Sequence, residues 1–184
     1  LAALAAAVDG ETALVVAVAG STAYGRVDPV PDVTAVAESV DAAVHVDAAW
    51  GGFYLPFTDH DWSFADAPVD TITIDPHKLG QAAVPAGGLI AREPATVDSL
   101  AVATPYLATK TPATLTGTRS GAGVASARGA FGALDPGGYR AGQERATELA
   151  AGVGAGLTQG GYTVGRRDLP VVGVDLPGAR VAQL

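Results

Sequence analysis

The sequence predicts an α/β fold, in which a mostly parallel sheet is covered by helices on both faces. Short apolar runs rich in Val and Ile recur along the chain and are typical of buried strands, as in residues 13–19 (ALVVAVA). These runs alternate with segments of helical pattern, and that alternation is typical of layered α/β domains. A hydrophobic content of 48% in 184 residues is sufficient for a core of this kind.

The predicted strands end at turn-forming residues. Residues 13–19 end at a Gly-Ser-Thr turn, and the run 43–48 (AVHVDA) is followed by two glycines. The run 70–75 (DTITID) is rich in β-branched residues and ends at Pro76. A fourth strand at residues 87–92 follows closely enough for us to expect antiparallel pairing with the third.

The helical segments have recognisable beginnings and ends. Residues 1–8 form the end of an Ala-rich helix, and a second helix begins at Pro31-Asp32, because proline and an acidic residue both favour the first helical turn. It runs through Val40. Residues 94–122 are rich in Thr and Pro and predict a long loop. Two further helices are predicted at residues 123–134 and 139–157.

The pattern of the chain changes at the Asp-Pro-Gly-Gly sequence of residues 135–138. We predict that residues 1–135 are part of a large domain and that residues 136–184 begin a small α+β domain. Weak strands are predicted at residues 162–164 and 171–176, within the small domain. The chain starts within a helical pattern without Met and stops just after a strand pattern, so we expect a piece of a longer enzyme.

The charge composition excludes several classes of protein. There are 11 basic and 19 acidic residues, so the net charge of −8 argues against a nucleic-acid partner. Without cysteine there is no disulfide, thiolate zinc site or cysteine nucleophile. No apolar run is long enough to span a membrane and no basic leader region is present, so we expect a cytoplasmic protein. The 14 Asp and only 2 Lys favour a halophile, with a GC-rich genome as the alternative.

Reactive side chains follow three successive predicted strands, where ligands bind in open α/β sheets. Thr22 follows the first strand, Asp47 ends the second, and His77 and Lys78 follow the third. An amine and a carboxylate on neighbouring strands suit pyridoxal phosphate, which needs a lysine for its Schiff base and an acid at its pyridine nitrogen. Small residues after Asp47 leave space for a flat ring. The alternatives are a helix N-cap for Asp47 and a solvated loop lysine for Lys78.

Four ordered segments resemble the group II pyridoxal-phosphate-dependent amino-acid decarboxylases. HVDAAWGG (45–52) and TIDPHKLG (73–80) resemble the two family signatures, and AGSTAYGRVDPV (19–30) and LTGTRSGA (115–122) agree in order and spacing. The likeness is greatest to the archaeal L-tyrosine/L-aspartate decarboxylase branch. It implies an aminotransferase-like large domain of fold type I, with three α/β/α layers, and pyridoxal 5′-phosphate as cofactor. It also implies that further residues, which bind the cofactor phosphate and stack on its ring, lie outside this sequence.

The resemblance implies a role for each matching residue. Lys78 is the lysine of the internal aldimine, and Asp47 pairs with the pyridinium nitrogen. Ala49 lies against the ring. His77 contacts the cofactor phosphate or the reacting end of the substrate. Asp75 stands where relatives often carry a small polar residue, and a carboxylate there would repel phosphate unless it points away.

The resemblance also implies a homodimer with a shared active site. Thr22 would lie near the ring, and Thr118 lies in a loop that relatives send across the dimer interface to the partner's phosphate. No metal is expected: His45 and Asp47 make a His-x-Asp pair without an apparent third ligand, and His45 is better explained as a packed strand histidine. Trp50 and Phe53 could line the pocket or belong to the core.

The implied activity is decarboxylation of an L-amino acid, either L-aspartate to β-alanine or L-tyrosine to tyramine. Two alternatives stay open. One is another pyridoxal-phosphate enzyme of the same fold, a carbon–carbon lyase or a desulfurase. The other is an inactive, truncated structural remnant.

Overall fold

A four-stranded mixed sheet organises the protein. The computed structural model describes residues 1–106, 108, 111–114 and 119–176. In chain order the strands are β1 (Leu14–Val18), β2 (Ala43–Asp47), β3 (Thr71–Ile74) and β4 (Gly88–Ala91). The helices are α1 (Ala2–Ala7), α2 (Val30–Glu38), α3 (Pro94–Asp98) and α4 (Ala122–Gln159), with 3-10 turns at Gly51–Phe53 and Leu55–Phe57.

The strands lie in their chain order, with β1, β2 and β3 parallel and β4 antiparallel to β3. The predicted α/β class and the antiparallel fourth strand are therefore confirmed. Val18 pairs with Asp47, and Asp47 pairs with Thr73, so the carboxyl ends of the three parallel strands lie side by side. This register brings the turns after β1, β2 and β3 to one edge of the sheet.

One face of the sheet packs against α2. Val15, Val44, Val46 and Ile72 point from the strands into this layer, and Val30 on α2 is fully buried there. Burying each such side chain contributes about 1.5–3 kcal/mol, so this apolar layer is the main source of stability for the sheet.

The other face of the sheet is open within the described part of the chain. Leu14 and Val16 are 52% and 53% exposed, and Leu89, which pairs with Thr73 on that face, is 51% exposed. A continuous apolar run predicts burial on both faces of a strand. Within the described residues an apolar layer packs on one face of the sheet, and Leu14, Val16 and Leu89 form an exposed apolar surface on the other.

A break at Asp135 divides α4 into the two expected helices. Asp135 has φ 48° and ψ 179°, and Pro136 follows it. The Asp135 Oδ1 atom accepts hydrogen bonds from the amides of Gly137 and Gly138 at 2.7 and 3.0 Å, so its carboxylate caps the second helix. The short helix α3, by contrast, lies within the segment that was predicted to be a loop.

The C-terminal segment contains less strand than predicted. In place of two strands there is a single bridge, between Val164 and Val174. Leu169 is only 2% exposed and belongs to the same core as the sheet. The domain boundary at residues 135/136 stays a prediction. In the described residues, no helix combines the length and apolar character that a membrane span requires.

Gly51 permits a close approach that a larger residue would prevent. A Cβ atom at Gly51 would overlap the carbonyl oxygen of Ala19. Because this carbonyl belongs to the backbone and cannot move aside as a flexible side chain could, Gly51→Ala is expected to lower the free energy of unfolding by about 3 kcal/mol. Urea unfolding followed by circular dichroism measures this loss.

Gly129→Ala is the matched control for that substitution. A Cβ atom at Gly129 meets nothing within 4 Å, and the residue lies within α4. Alanine is expected to raise the free energy of unfolding there by about 0.5–1 kcal/mol. Equal stabilities for the two variants would contradict the close approach at Gly51.

Asp168 is expected to contribute a pH-dependent part of the stability. Burial acts to raise the pKa of Asp168, but the amide of Val27 and the guanidinium groups of Arg26 and Arg166 outweigh it, so the pKa is lowered from 3.8. A lowered pKa in the folded state stabilises the protein above about pH 4, and this contribution is lost as the pH falls through the folded-state pKa. Comparing Asp168→Asn with the parent by urea unfolding should give a stability difference that shrinks below about pH 4. A difference that is constant from pH 7 to pH 2 would contradict this assignment.

Candidate active site

The predicted site residues occupy the edge formed by the carboxyl ends of the parallel strands. Thr22 lies in an exposed turn after β1, Asp47 is the last residue of β2, and His77 and Lys78 lie in the turn after β3. The parallel register places the strand ends that precede these positions side by side. Thr118 lies outside the described residues.

Lys78 is held in a tight turn that follows β3. Its backbone amide donates to the carbonyl of Asp75 at 3.0 Å, and its own carbonyl accepts from Gln81 at 3.1 Å. The Lys78 Nζ atom lies 3.0 Å from Oδ2 of Asp75, and the lysine side chain is 33% exposed. An ion pair this accessible is worth about 1 kcal/mol or less, so a ligand can displace it at little cost.

The ring of His77 is oriented by the backbone of Ala86. The Nδ1 atom lies 2.6 Å from the Ala86 carbonyl oxygen and 3.1 Å from the Ala86 amide nitrogen, so the backbone of Ala86 holds this side of the ring. Nε2 is left facing Asp75, 3.9 Å from Oδ2. It is the ring nitrogen available to a ligand.

Asp75 is a site residue whose role the sequence left in doubt. Its carboxylate is directed at Lys78 and His77, and a Cβ atom at Gly87 would lie 2.8 Å from Oδ1. The spacing of three residues between Asp75 and Lys78 was the available sequence signal, because in a turn this spacing brings the two side chains together.

One carboxylate oxygen of Asp47 accepts a hydrogen bond from the backbone, and the other is available to a ligand. Its Oδ1 atom accepts a hydrogen bond from the Ala49 amide at 3.0 Å, and its backbone carbonyl accepts from Ala19 at 2.9 Å. Within the described part of the chain, no hydrogen bond is made to Oδ2. The carboxylate therefore caps the following turn and still presents an acceptor at the edge of the sheet, so the capping and cofactor interpretations are compatible.

His45 is a strand histidine, as expected, and it bridges two hydroxyl groups. Its Nδ1 and Nε2 atoms lie 2.8 and 3.1 Å from the Oγ1 atoms of Thr71 and Thr73. Over the described ranges there is no group of three or more His, Cys, Asp or Glu side chains that could hold a metal ion. Phe53 packs with Phe131 and Tyr139, so it belongs to an aromatic cluster.

The donor set at this edge fits pyridoxal phosphate. The amine of Lys78 could bond to the cofactor's aldehyde carbon, and the open carboxylate oxygen of Asp47 could accept a hydrogen bond from the pyridine N–H. Ala49 is small and only partly buried beside Asp47. The fold and these side chains together are those expected of the pyridoxal-phosphate class of α/β proteins.

Comparisons with known proteins identify the family within that class. The family model described as "Pyridoxal-dependent decarboxylase conserved domain" matches residues 2–121. The chain therefore belongs to the pyridoxal-dependent decarboxylases, a family of carboxy-lyases whose cofactor is pyridoxal phosphate.

Curated relatives in this family are named after their amino-acid substrates. A "Probable L-aspartate decarboxylase" of Halobacterium salinarum is 59% identical over 184 residues, which is 100% of this chain and 52% of the relative. A "Probable L-tyrosine/L-aspartate decarboxylase" of Methanosarcina barkeri is 45% identical over 135 residues, 72% of this chain and 34% of the relative. The chain thus spans about half the length of its H. salinarum relative. Relatives from halophilic archaea agree with the salt-adapted composition.

Solved structures confirm the fold. A sphingosine-1-phosphate lyase of Burkholderia pseudomallei has a TM-score of 0.80 at 26% identity, covering 90% of this chain and 40% of that protein. A glutamate decarboxylase of Lactobacillus brevis has a TM-score of 0.77 at 27% identity, covering 89% of this chain and 40% of that protein. A cysteine desulfurase of Escherichia coli, at 17% identity and a TM-score of 0.75, covers 93% of this chain and 45% of that protein and shares the fold alone.

Proposed function

We propose that the protein decarboxylates an L-amino acid, with L-aspartate preferred and L-tyrosine as the second candidate. The observation that carries this proposal is that an accessible amine, Lys78, and a carboxylate with an open oxygen, Asp47, follow neighbouring strands in a chain of this family. The preference for aspartate is supported by the name of the H. salinarum relative.

Pyridoxal phosphate, when bound, supplies an electron sink that accepts the electron pair released as the substrate carboxylate leaves as CO2. Lys78 would hold the cofactor covalently: its Nζ atom, once separated from Asp75 and without its extra proton, can condense with an aldehyde carbon with loss of water. The open Oδ2 atom of Asp47 would accept a hydrogen bond from the pyridine nitrogen and favour its protonated form. The amide of Ala49 holds the other oxygen and so orients the carboxylate.

The remaining side chains orient the ligands. The bond from Nδ1 to the Ala86 carbonyl holds Nε2 of His77 toward the site, where it contacts the cofactor phosphate or the reacting end of the substrate. The Asp75 carboxylate lies 3.0 Å from Nζ of Lys78 and 3.9 Å from Nε2 of His77, so it would stabilise a positive charge on either neighbour. Thr22 and Ala49 border the ring from the turns after β1 and β2.

We also propose a homodimer with a shared active site, in which Thr118 reaches the phosphate held by the partner subunit. This rests on the resemblance in residues 115–122. The acidic, lysine-poor composition supports a location in a salt-rich cytoplasm.

Product analysis tests the proposed function. A polypeptide extended to the length of the curated relatives is incubated in high salt with pyridoxal phosphate and, separately, with L-aspartate, L-tyrosine and L-glutamate. We expect CO2 and β-alanine from L-aspartate in equal amounts, measured by mass spectrometry. An aldehyde from a phosphorylated amino alcohol would assign the protein to the lyases instead, and no product with pyridoxal phosphate bound would favour a structural remnant.

A further inference from the structure

A short C-terminal segment packs against the turn that carries Thr22. We call residues 165–171 the clamp segment. The amides of Asp168 and Leu169 both donate to the carbonyl of Gly25, at 2.7 and 2.8 Å. Gly25 has φ 58°, and a Cβ atom there would lie 2.9 Å from Cβ of Val171. The clamp segment and this turn are therefore in direct backbone contact.

The Asp168 side chain holds the same turn at a second point. Its Oδ2 atom accepts hydrogen bonds from Nε of Arg26 at 2.9 Å and from the amide of Val27 at 3.0 Å. Only 10% of the side chain is exposed, and Arg26 lies 142 residues earlier in the chain. Arg26 is 41% exposed, so the shielding is on the Asp168 side, where the charge-assisted hydrogen bonds are stronger than neutral ones.

The side chain of Leu169 joins the turns that follow β1 and β2. It is 2% exposed, and a Cβ atom at Gly20 would lie 2.9 Å from both Cδ2 of Leu169 and the backbone nitrogen of Gly51. Gly20 and Gly51 belong to the turns that carry Thr22 and Ala49. Leu169 thus covers the point where these two turns meet.

The turn after β1 is otherwise closed by its own hydrogen bonds at its base. Ala19 bridges Val27, and the amide of Ser21 donates to the carbonyl of Arg26 at 2.8 Å. Thr22 at its tip is exposed. The position of Thr22 relative to β2 therefore depends on the contacts made by the base of the turn. The clamp segment contacts this base at Gly25, Arg26 and Val27.

We propose that Asp168 and Leu169 are positioning residues for the cofactor site, which hold the turn of Thr22 against the turn of Ala49. This inference rests on the proposed function, because Thr22 and Ala49 border the cofactor ring only if the chain binds pyridoxal phosphate. Neither residue contacts the amine or carboxylate that binds the cofactor, so both act through the two turns.

Asp168→Asn tests the proposal, with Asp66→Asn as its matched control. Asp66 also has a lowered pKa, chiefly because the Ser63 amide donates to its carboxylate, followed by the Ser63 hydroxyl and the Trp62 amide. Both substitutions remove a carboxylate that accepts backbone hydrogen bonds, but only Asp168 contacts the turn of Thr22. Asp168→Glu restores the charge and tests for rescue.

The first readout is the dissociation constant for pyridoxal phosphate, measured by absorbance titration of the extended polypeptide in high salt. We expect Asp168→Asn to weaken binding about tenfold, Asp66→Asn to change it less than about twofold, and Asp168→Glu to recover part of the loss. Equal affinity in the parent and Asp168→Asn would overturn the proposal, as would an equal loss in Asp66→Asn.

The second readout does not require the cofactor. Hydrogen exchange of the peptide covering residues 20–27 is expected to be faster in Asp168→Asn than in the parent, and unchanged in Asp66→Asn. Unchanged exchange in Asp168→Asn would overturn the clamp while leaving the proposed function intact. Faster exchange together with no cofactor binding by the parent would mean that the proposed function is wrong.

Discussion

Replacing Lys78 with alanine is expected to abolish covalent attachment of pyridoxal phosphate and to lower turnover by roughly a thousandfold or more, because Lys78 supplies the one lysine amine among the residues that the structure describes. The lysine side chain is one third exposed and forms an accessible ion pair with Asp75. Its removal is therefore expected to affect chemistry far more than folding. Borohydride reduction followed by peptide mapping measures the attachment.

Lys78→Arg separates the loss of the amine from the loss of the charge. Arginine keeps a positive charge beside Asp75 but cannot form the covalent bond at neutral pH. Its unfolding free energy should stay near that of the parent while the label disappears. This chain has only one other lysine, Lys110, so mapping within it is unambiguous. A label on Lys110, or turnover retained by either variant, would contradict the role of Lys78.

Asp47→Asn is expected to leave the cofactor attached to Lys78 but to lower turnover by about 100- to 1000-fold, since removal of a preorganised electrostatic partner has effects of this size. Asparagine can still accept the hydrogen bond from the Ala49 amide, so the turn after β2 is retained. What it loses is the negative charge that keeps the pyridine nitrogen protonated. Steady-state rates test the loss of turnover, and the extent of Lys78 labelling on the same preparation tests whether the cofactor stays attached.

Asp70→Asn is a suitable comparison for Asp47→Asn. The Oδ2 atom of Asp70 accepts a hydrogen bond from the Val44 amide at 2.7 Å, so it too is a carboxylate that supports β2, but at the opposite end of the strand. The Asp70→Asn substitution should lower the stability of the protein without a large change in turnover. Turnover of Asp47→Asn within about twofold of the parent would show that the nitrogen partner is a different residue.

Much of the fold follows from local sequence patterns. Each strand was predicted from its apolar or β-branched run, and the division of α4 was predicted from Asp135-Pro136 because proline cannot donate the hydrogen bond that a continuous helix needs. The weak strand patterns at residues 162–164 and 171–176 lie next to each other but form only an isolated bridge, between Val164 and Val174.

The family, the cofactor and the strand ends that carry the candidate reactive residues can be predicted from the sequence, because they depend on residue types at short spacings. The pairings between side chains come from the tertiary structure. It placed Asp75 beside Lys78 and His77, left one oxygen of Asp47 open, and brought Asp168 to the turn of Thr22. These contacts depend on backbone direction and long-range packing, and a separation of 142 residues leaves no local pattern to read.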